Sequence, residues 1–145
     1  MSYWEFVSDG KLFSLQLPGN WSEYDDGDDG VFAFFNTEKW SGNLRITHLY
    51  VANTSDEGAF LSTVDQKWMA EKDAVFVKLN NWQTAFYINE AKNDLIVHNW
   101  VTGRENDLFI CSFTFDKSFH NADWHNNELI TVAEILGSIK THEHF

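Results

Sequence analysis

The chain has 145 residues, 43% of them hydrophobic and 17% aromatic, with 22 acidic against ten basic side chains and a formal charge of −12. That length is one domain, 1–145, large enough to bury a core without disulfides. The charge excludes nucleic acid and anionic membrane surfaces as partners, because both need clustered Lys and Arg, and Arg45 and Arg104 are the only arginines. A basic protein is the partner such a charge steers toward. Cys111 is the single cysteine, so an internal disulfide and the CxxC metal patterns are ruled out, in keeping with a reducing compartment. The N-terminus lacks a basic n-region and an apolar h-region, and no apolar run approaches the roughly 18 residues of a membrane span. The expected location is the cytoplasm.

In chain order, Tyr3–Ser8 and Lys11–Leu17 read as strands joined at Asp9-Gly10, a two-residue hairpin signal. The second strand stops at Pro18, the only proline, because proline cannot donate to a ladder. Ser22–Gly30 reads as an acidic loop and Val31–Asn36 as an apolar strand. Thr37–Gly42 is a turn. Asn43–Val51 alternates Leu44, Ile46, His48 and Tyr50 against Arg45, Thr47, Leu49 and Val51, the period-two signature of a strand. Asn53–Lys72 reads as one helix, opened by a capping box at Thr54 and Glu57 and apolar at Phe60, Leu61, Val64 and Trp68. Ala74–Leu79, Trp82–Ile88, Asp94–Val101 and Asp107–Asp116 are four strands. Short connections at Asn80-Asn81, Glu90–Asn93 and Gly103–Asn106 predict an antiparallel meander. A final helix spans Asp123–Lys140, and Thr141–Phe145 is an expected frayed tail. The expected class is α+β: a mostly antiparallel sheet of about eight strands flanked by two helices, in the order ββββαββββα.

Several segments carry a resemblance. Phe13-Ser-Leu-Gln-Leu-Pro18-Gly-Asn-Trp21, Trp40-Ser-Gly-Asn-Leu-Arg-Ile-Thr47, Phe109-Ile-Cys-Ser-Phe-Thr-Phe115 and Glu134-Ile-Leu-Gly-Ser-Ile139 follow one another in the manner of the Mog1/PsbP-like sandwiches. Within that group the chain resembles an uncharacterised bacterial domain family of unknown function, DUF3805, over nearly its whole length. The resemblance implies an antiparallel sheet flanked by helices. Named relatives in that group are binding proteins, Mog1 engaging a small GTPase and PsbP being an extrinsic photosystem II subunit, but a shared fold does not give a shared function. No partner-binding motif of either is present, so no functional residue is carried over.

The candidate sites come from composition and placement. Asp25, Asp26, Asp28 and Asp29, loosened by Gly27 and Gly30, are a candidate set for a hard cation such as Ca²⁺. The EF-hand pattern fails, because Asn36 stands where the bidentate Glu belongs. No cofactor is expected beyond that cation. His120 and His125 lack the HExxH arrangement, and His48 and His98 are a strand-borne pair that would need to converge to do acid–base work. Cys111 shares a strand face with Phe109 and Phe113 and reads as core. No GxSxG, Walker or GxGxxG motif occurs. Trp21, Trp40, Trp82 and Trp124 lie at connections and, with Arg45, are the candidate partner-binding residues, since Trp and Arg dominate binding hot spots. The expected function is non-enzymatic protein binding of an adaptor, inhibitor or immunity type. The alternative is a small-ligand or divalent-cation domain, hydrolytic through Asp25–Asp29 and a histidine. Homo-oligomerisation through an uncovered sheet face is a further expectation.

Overall fold

Alternating apolar and polar side chains place these runs in strands, and the computed structural model, which describes residues 2–52, 58–79 and 82–142, follows that pattern. The elements are β1 (Tyr3–Val7), β2 (Phe13–Pro18), β3 (Trp21–Tyr24), β4 (Val31–Asn36), β5 (Asn43–Tyr50), α1 (Gly58–Thr63), α2 (Gln66–Lys72), β6 (Val75–Leu79), β7 (Trp82–Ala91), β8 (Leu95–Arg104), β9 (Asp107–Asp116), α3 (Asp123–Gly137) and β10 (Lys140–Thr141). Short 3₁₀ turns cover Asp9–Lys11 and Lys117–Phe119.

Among the described residues the strands form two antiparallel sheets. One has seven strands in the order β3-β4-β5-β9-β8-β7-β6, and the other has three in the order β1-β2-β10. β6 to β9 are the expected meander. β5 joins it by pairing with β9, setting Leu44 opposite Phe113, Ile46 opposite Cys111 and His48 opposite Phe109. On this face Phe34, Leu44, Ile46, Phe109, Cys111, Phe113 and Phe115 pack under Phe13, Leu15 and Leu17 of β2 and Val132, Ile135 and Leu136 of α3. Each such buried side chain contributes roughly 1.5–3 kcal/mol. On the opposite face Ala85, Val101 and Leu108 pack under Ala59, Phe60 and Val64, with Trp68 and Met69 partly buried beside them. The helices therefore lie on both faces, α3 on one and α1–α2 on the other.

Several expectations are corrected. Among the described residues there are ten strands, not about eight, because β3 runs into the segment read as loop and β10 adds a short strand to β2. The two-residue hairpin is instead the turn Asp9–Lys11, with Gly10 and Lys11 at φ 76° and 58°. The Ser8 hydroxyl accepts from the Leu12 and Phe13 N–H groups there and draws the turn in. Pro18 ends β2 from within it, opposite Tyr3, where the missing donor costs least. The single helix over 53–72 is two. Asp65 accepts the Trp68 N–H at 2.8 Å and starts α2 afresh, and Leu61 of α1, expected on the buried face, is 37% exposed. The proposed capping box at Thr54 and Glu57, the Asn80-Asn81 turn and the end of the tail lie outside the described residues. No described helix is long and apolar enough to cross a membrane.

Candidate functional site

The acidic loop is shaped by its own aspartates. Asp25 Oδ1 accepts the Gly27 N–H at 2.8 Å and Asp26 Oδ1 accepts the Asp28 N–H at 3.1 Å, two Asx turns that need Gly27 at φ 88°. From β5, Arg45 reaches back into the loop. Its Nε donates to Asp26 Oδ2 at 2.7 Å and its Nη2 to Asp28 Oδ2 at 2.6 Å. The Asp28 N–H, together with the guanidinium, holds the Asp26 carboxyl below its usual range. Arg45 is thus part of the acidic loop, where it fixes two carboxylates.

Behind this clamp lies an open cleft of about 570 Å³, lined by Asp9, Glu23, Tyr24, Asp25, Asp28, Asp29, Gly30, Val31 and Phe32. Asp9 comes from the turn after β1, Glu23 and Tyr24 from β3, and Val31 and Phe32 from β4. Asp9, Glu23, Asp25 and Asp29 pair with no described cation. The like charges act on one another: burial, then Asp9 and Asp25, raise the Glu23 carboxyl above its ordinary value. Burial, then Asp26, raise the Tyr24 phenol, with Arg45 opposing. Sequence reasoning found the loop but missed Asp9 and Glu23, whose arrival depends on β3 pairing with β4 and on the turn after β1 folding over them. Among the described residues no three His, Cys, Asp or Glu side chains come together in a group able to hold a metal ion.

The four tryptophans divide. Trp21 is 2% exposed and packs inside, near the Phe113 ring, so it cannot meet a partner from there. Trp82 leans on Phe109 at 5.7 Å and belongs to the core. Trp40, 41% exposed, and the half-buried Trp124 both pack against Phe119, at 5.7 and 5.0 Å. Lys39 Nζ sits 3.7 Å over the Trp124 ring. Trp40 and Trp124 thus share one surface cluster, while Arg45 belongs to the acidic loop.

The histidines do not converge as a pair of His48 and His98. His48 stacks on Phe109 at 4.6 Å, with its Nε2 2.7 Å from Asp107 Oδ1. His98 faces Phe113 across the next ladder and meets Phe86, Trp100 and Phe115. Cys111 is 1% exposed, and burial pushes its thiol well above the ordinary range. A second cleft of about 580 Å³ is lined by Tyr50, Arg104, Glu105, Asn106, Asp107, Thr141 and His142.

With this fold in view, the sequence matches the family described as a domain of unknown function (DUF3805) over residues 1–143. The chain belongs to that family. A crystal structure from Bacteroides thetaiotaomicron VPI-5482 is similar over 99% of this chain at 26% identity and a TM-score of 0.77. The chain spans 50% of the length of that relative. The solution structure of cyanobacterial PsbP (CyanoP) from Synechocystis sp. PCC 6803 is similar over 97% of this chain and 93% of its own, at 12% identity and a TM-score of 0.60. That likeness places the DUF3805 chain in the PsbP-like fold and says nothing of its role. No curated protein matches the sequence.

Proposed function

We propose that this DUF3805 protein is a non-enzymatic binding module that docks a cationic segment of another protein in the acidic cleft. The observation that carries this reading is the set of carboxylates with no cationic partner among the described residues, Asp9, Glu23, Asp25 and Asp29, around one open concavity. Tyr24, Val31 and Phe32 supply an apolar wall for the stem of a Lys or Arg side chain. The Arg45 clamp and the Asx turns hold the loop in shape before a partner arrives, which lowers the ordering cost of binding. Opposite charge also raises the rate of encounter. Binding is favoured over catalysis because Cys111 and His98 are buried away from the cleft's solvent, and burial holds the Cys111 thiol out of its nucleophilic thiolate form. An adaptor, inhibitor or immunity-type role fits such a cleft.

The test is fluorescence anisotropy with a labelled Lys/Arg-rich peptide and a matched Glu/Asp-rich one. The basic peptide is expected to bind saturably, and less tightly as salt rises. Asp25→Asn with Asp29→Asn should weaken it about tenfold, as loss of close charge pairs does. Equal binding by the double variant, or binding of the acidic peptide instead, refutes the reading.

A further inference from the structure

Among the described residues three buried nitrogens have no hydrogen-bond partner: Trp21 Nε1, His98 Nε2 and His125 Nδ1. Their side chains surround the same two rings of β9. Trp21 lies 6.3 Å from Phe113, His98 5.2 Å from Phe115, and His125 4.2 Å from Phe115. His98 is 8% exposed and His125 is fully buried. Trp21 cannot take a proton, but the two imidazoles can.

The tautomer of His125 follows from its partner. Its Nε2 lies 2.8 Å from the Ser41 carbonyl, which only accepts, so Nε2 carries the hydrogen and Nδ1 is bare. A second proton would enter at Nδ1, where no acceptor waits. His98 likewise gains or keeps an N–H at an Nε2 with nothing to receive it. Burial, then His125 and His120, push His98 down to about 4. His125 is lowered by burial foremost and by His120, against the opposing Ser41 carbonyl and Glu128. His125 also lies in the first turn of α3, where the helix dipole opposes a cation.

The surroundings offer little counter-charge. From β7, β8 and β9 the facing side chains are Phe86, Trp100, Phe113 and Phe115. The 3₁₀ turn ahead of α3 contributes Phe119, and His120 follows it. From α3 itself come Trp124, the first-turn acid Asp123, and Glu128, whose Oε1 already accepts from Asn36 Nδ2 at 3.2 Å and Ser41 Oγ at 3.0 Å. The segment between β4 and β5 carries Glu38 and Lys39, and Lys39 is seated on the Trp124 ring.

We propose that His98 and His125 are an acid-sensitive latch: neutral, they let the N-terminal half of α3 lie on the sheet, and protonated together they release it and uncover Phe113 and Phe115. Both groups titrate lower in the latched state than in the released one. The latch is therefore fully present above pH 6.5 and fails as pH falls toward about 4, by up to about tenfold per pH unit for each histidine.

The experiment follows wild-type protein from neutral to mildly acid pH by tryptophan fluorescence, by binding of an apolar dye, and by far-UV circular dichroism. Dye binding is expected to rise reversibly below pH 6.5 while the strand signal persists. His98→Phe together with His125→Gln should move that midpoint down by at least about half a pH unit. These variants keep every carboxylate, so loss of net charge near the pI of 4.7 is common to both proteins and cancels. Should the double variant fail to fold, NMR titration of the wild-type imidazoles gives the second reading. Two histidines titrating below 6, in step with the dye signal, support the latch. Ordinary titration near 6.5, an unmoved midpoint, or loss of the strand signal in the same step overturns it.

Discussion

At Gly42 one absent carbon sets the fit between two strands. Its φ is 148°, and a Cβ built there would lie 2.6 Å from the Phe113 ring and 2.8 Å from the Thr114 carbonyl oxygen. Both belong to β9, which pairs with β5 directly after this glycine. The neighbouring Ser41 is itself buried and holds His125 and Glu128 through its carbonyl and hydroxyl. Gly42→Ala should therefore cost about 1–3 kcal/mol through overpacking and backbone strain. Urea denaturation reads this as a lower midpoint with an unchanged slope, and an unchanged midpoint would deny the close approach. In sequence Gly42 is a turn glycine like the others, because its contact depends on a pairing between distant strands. Cys111 is the opposite case. Alternation alone sets it beside Phe109 and Phe113, and it is buried there.

At the level of elements, what could be read was whatever announced itself locally. The meander β6–β9 follows from alternating strands and short connections, and α3 from apolar positions three and four apart. β3 was hidden because Trp21-Ser-Glu-Tyr24 runs straight into the aspartates and looks like their loop. β10 is only two residues long and exists because β2 offers it an edge. The break between α1 and α2 was masked by Phe60, Val64 and Trp68, whose helical spacing persists across a cap. β6 is an edge of the seven-stranded sheet, with Val75 56% and Phe76 63% exposed. Such an edge invites pairing with another strand, and Lys78, the charged residue within it, opposes that by charge and hydration. Lys78→Val should then produce concentration-dependent association, seen by light scattering as a mass that rises with loading. A mass unchanged from wild type across the same range would show that the edge is guarded by something other than Lys78.

Over the whole molecule the −12 charge is spread unevenly. The cleft carries Asp9, Glu23, Asp25, Asp28 and Asp29, and the loop adds Asp26, against the single guanidinium of Arg45. The sequence displayed the aspartates but not the arginine's position, since Arg45 reaches them only once β4 and β5 pair and set Ala33 opposite it. That placement decides how the loop meets a cation. Two of the four aspartates proposed as Ca²⁺ ligands already face the guanidinium, and a cation entering the loop must displace it. Millimolar Ca²⁺ is accordingly expected to leave the wild-type melting temperature unmoved. Arg45→Ala should lower that temperature modestly, since the guanidinium is itself partly open to solvent and its ion pairs are screened. It should also make the protein responsive to Ca²⁺, because Asp26 and Asp28 are then free to join Asp25 and Asp29, and a ligand that binds only the folded form raises the melting temperature. Differential scanning fluorimetry of both proteins with and without Ca²⁺ separates the outcomes. A Ca²⁺ shift in wild type would mean that the carboxylates outside the clamp suffice to hold the ion. No shift in the variant would mean that the loop's shape, rather than its resident guanidinium, keeps calcium out.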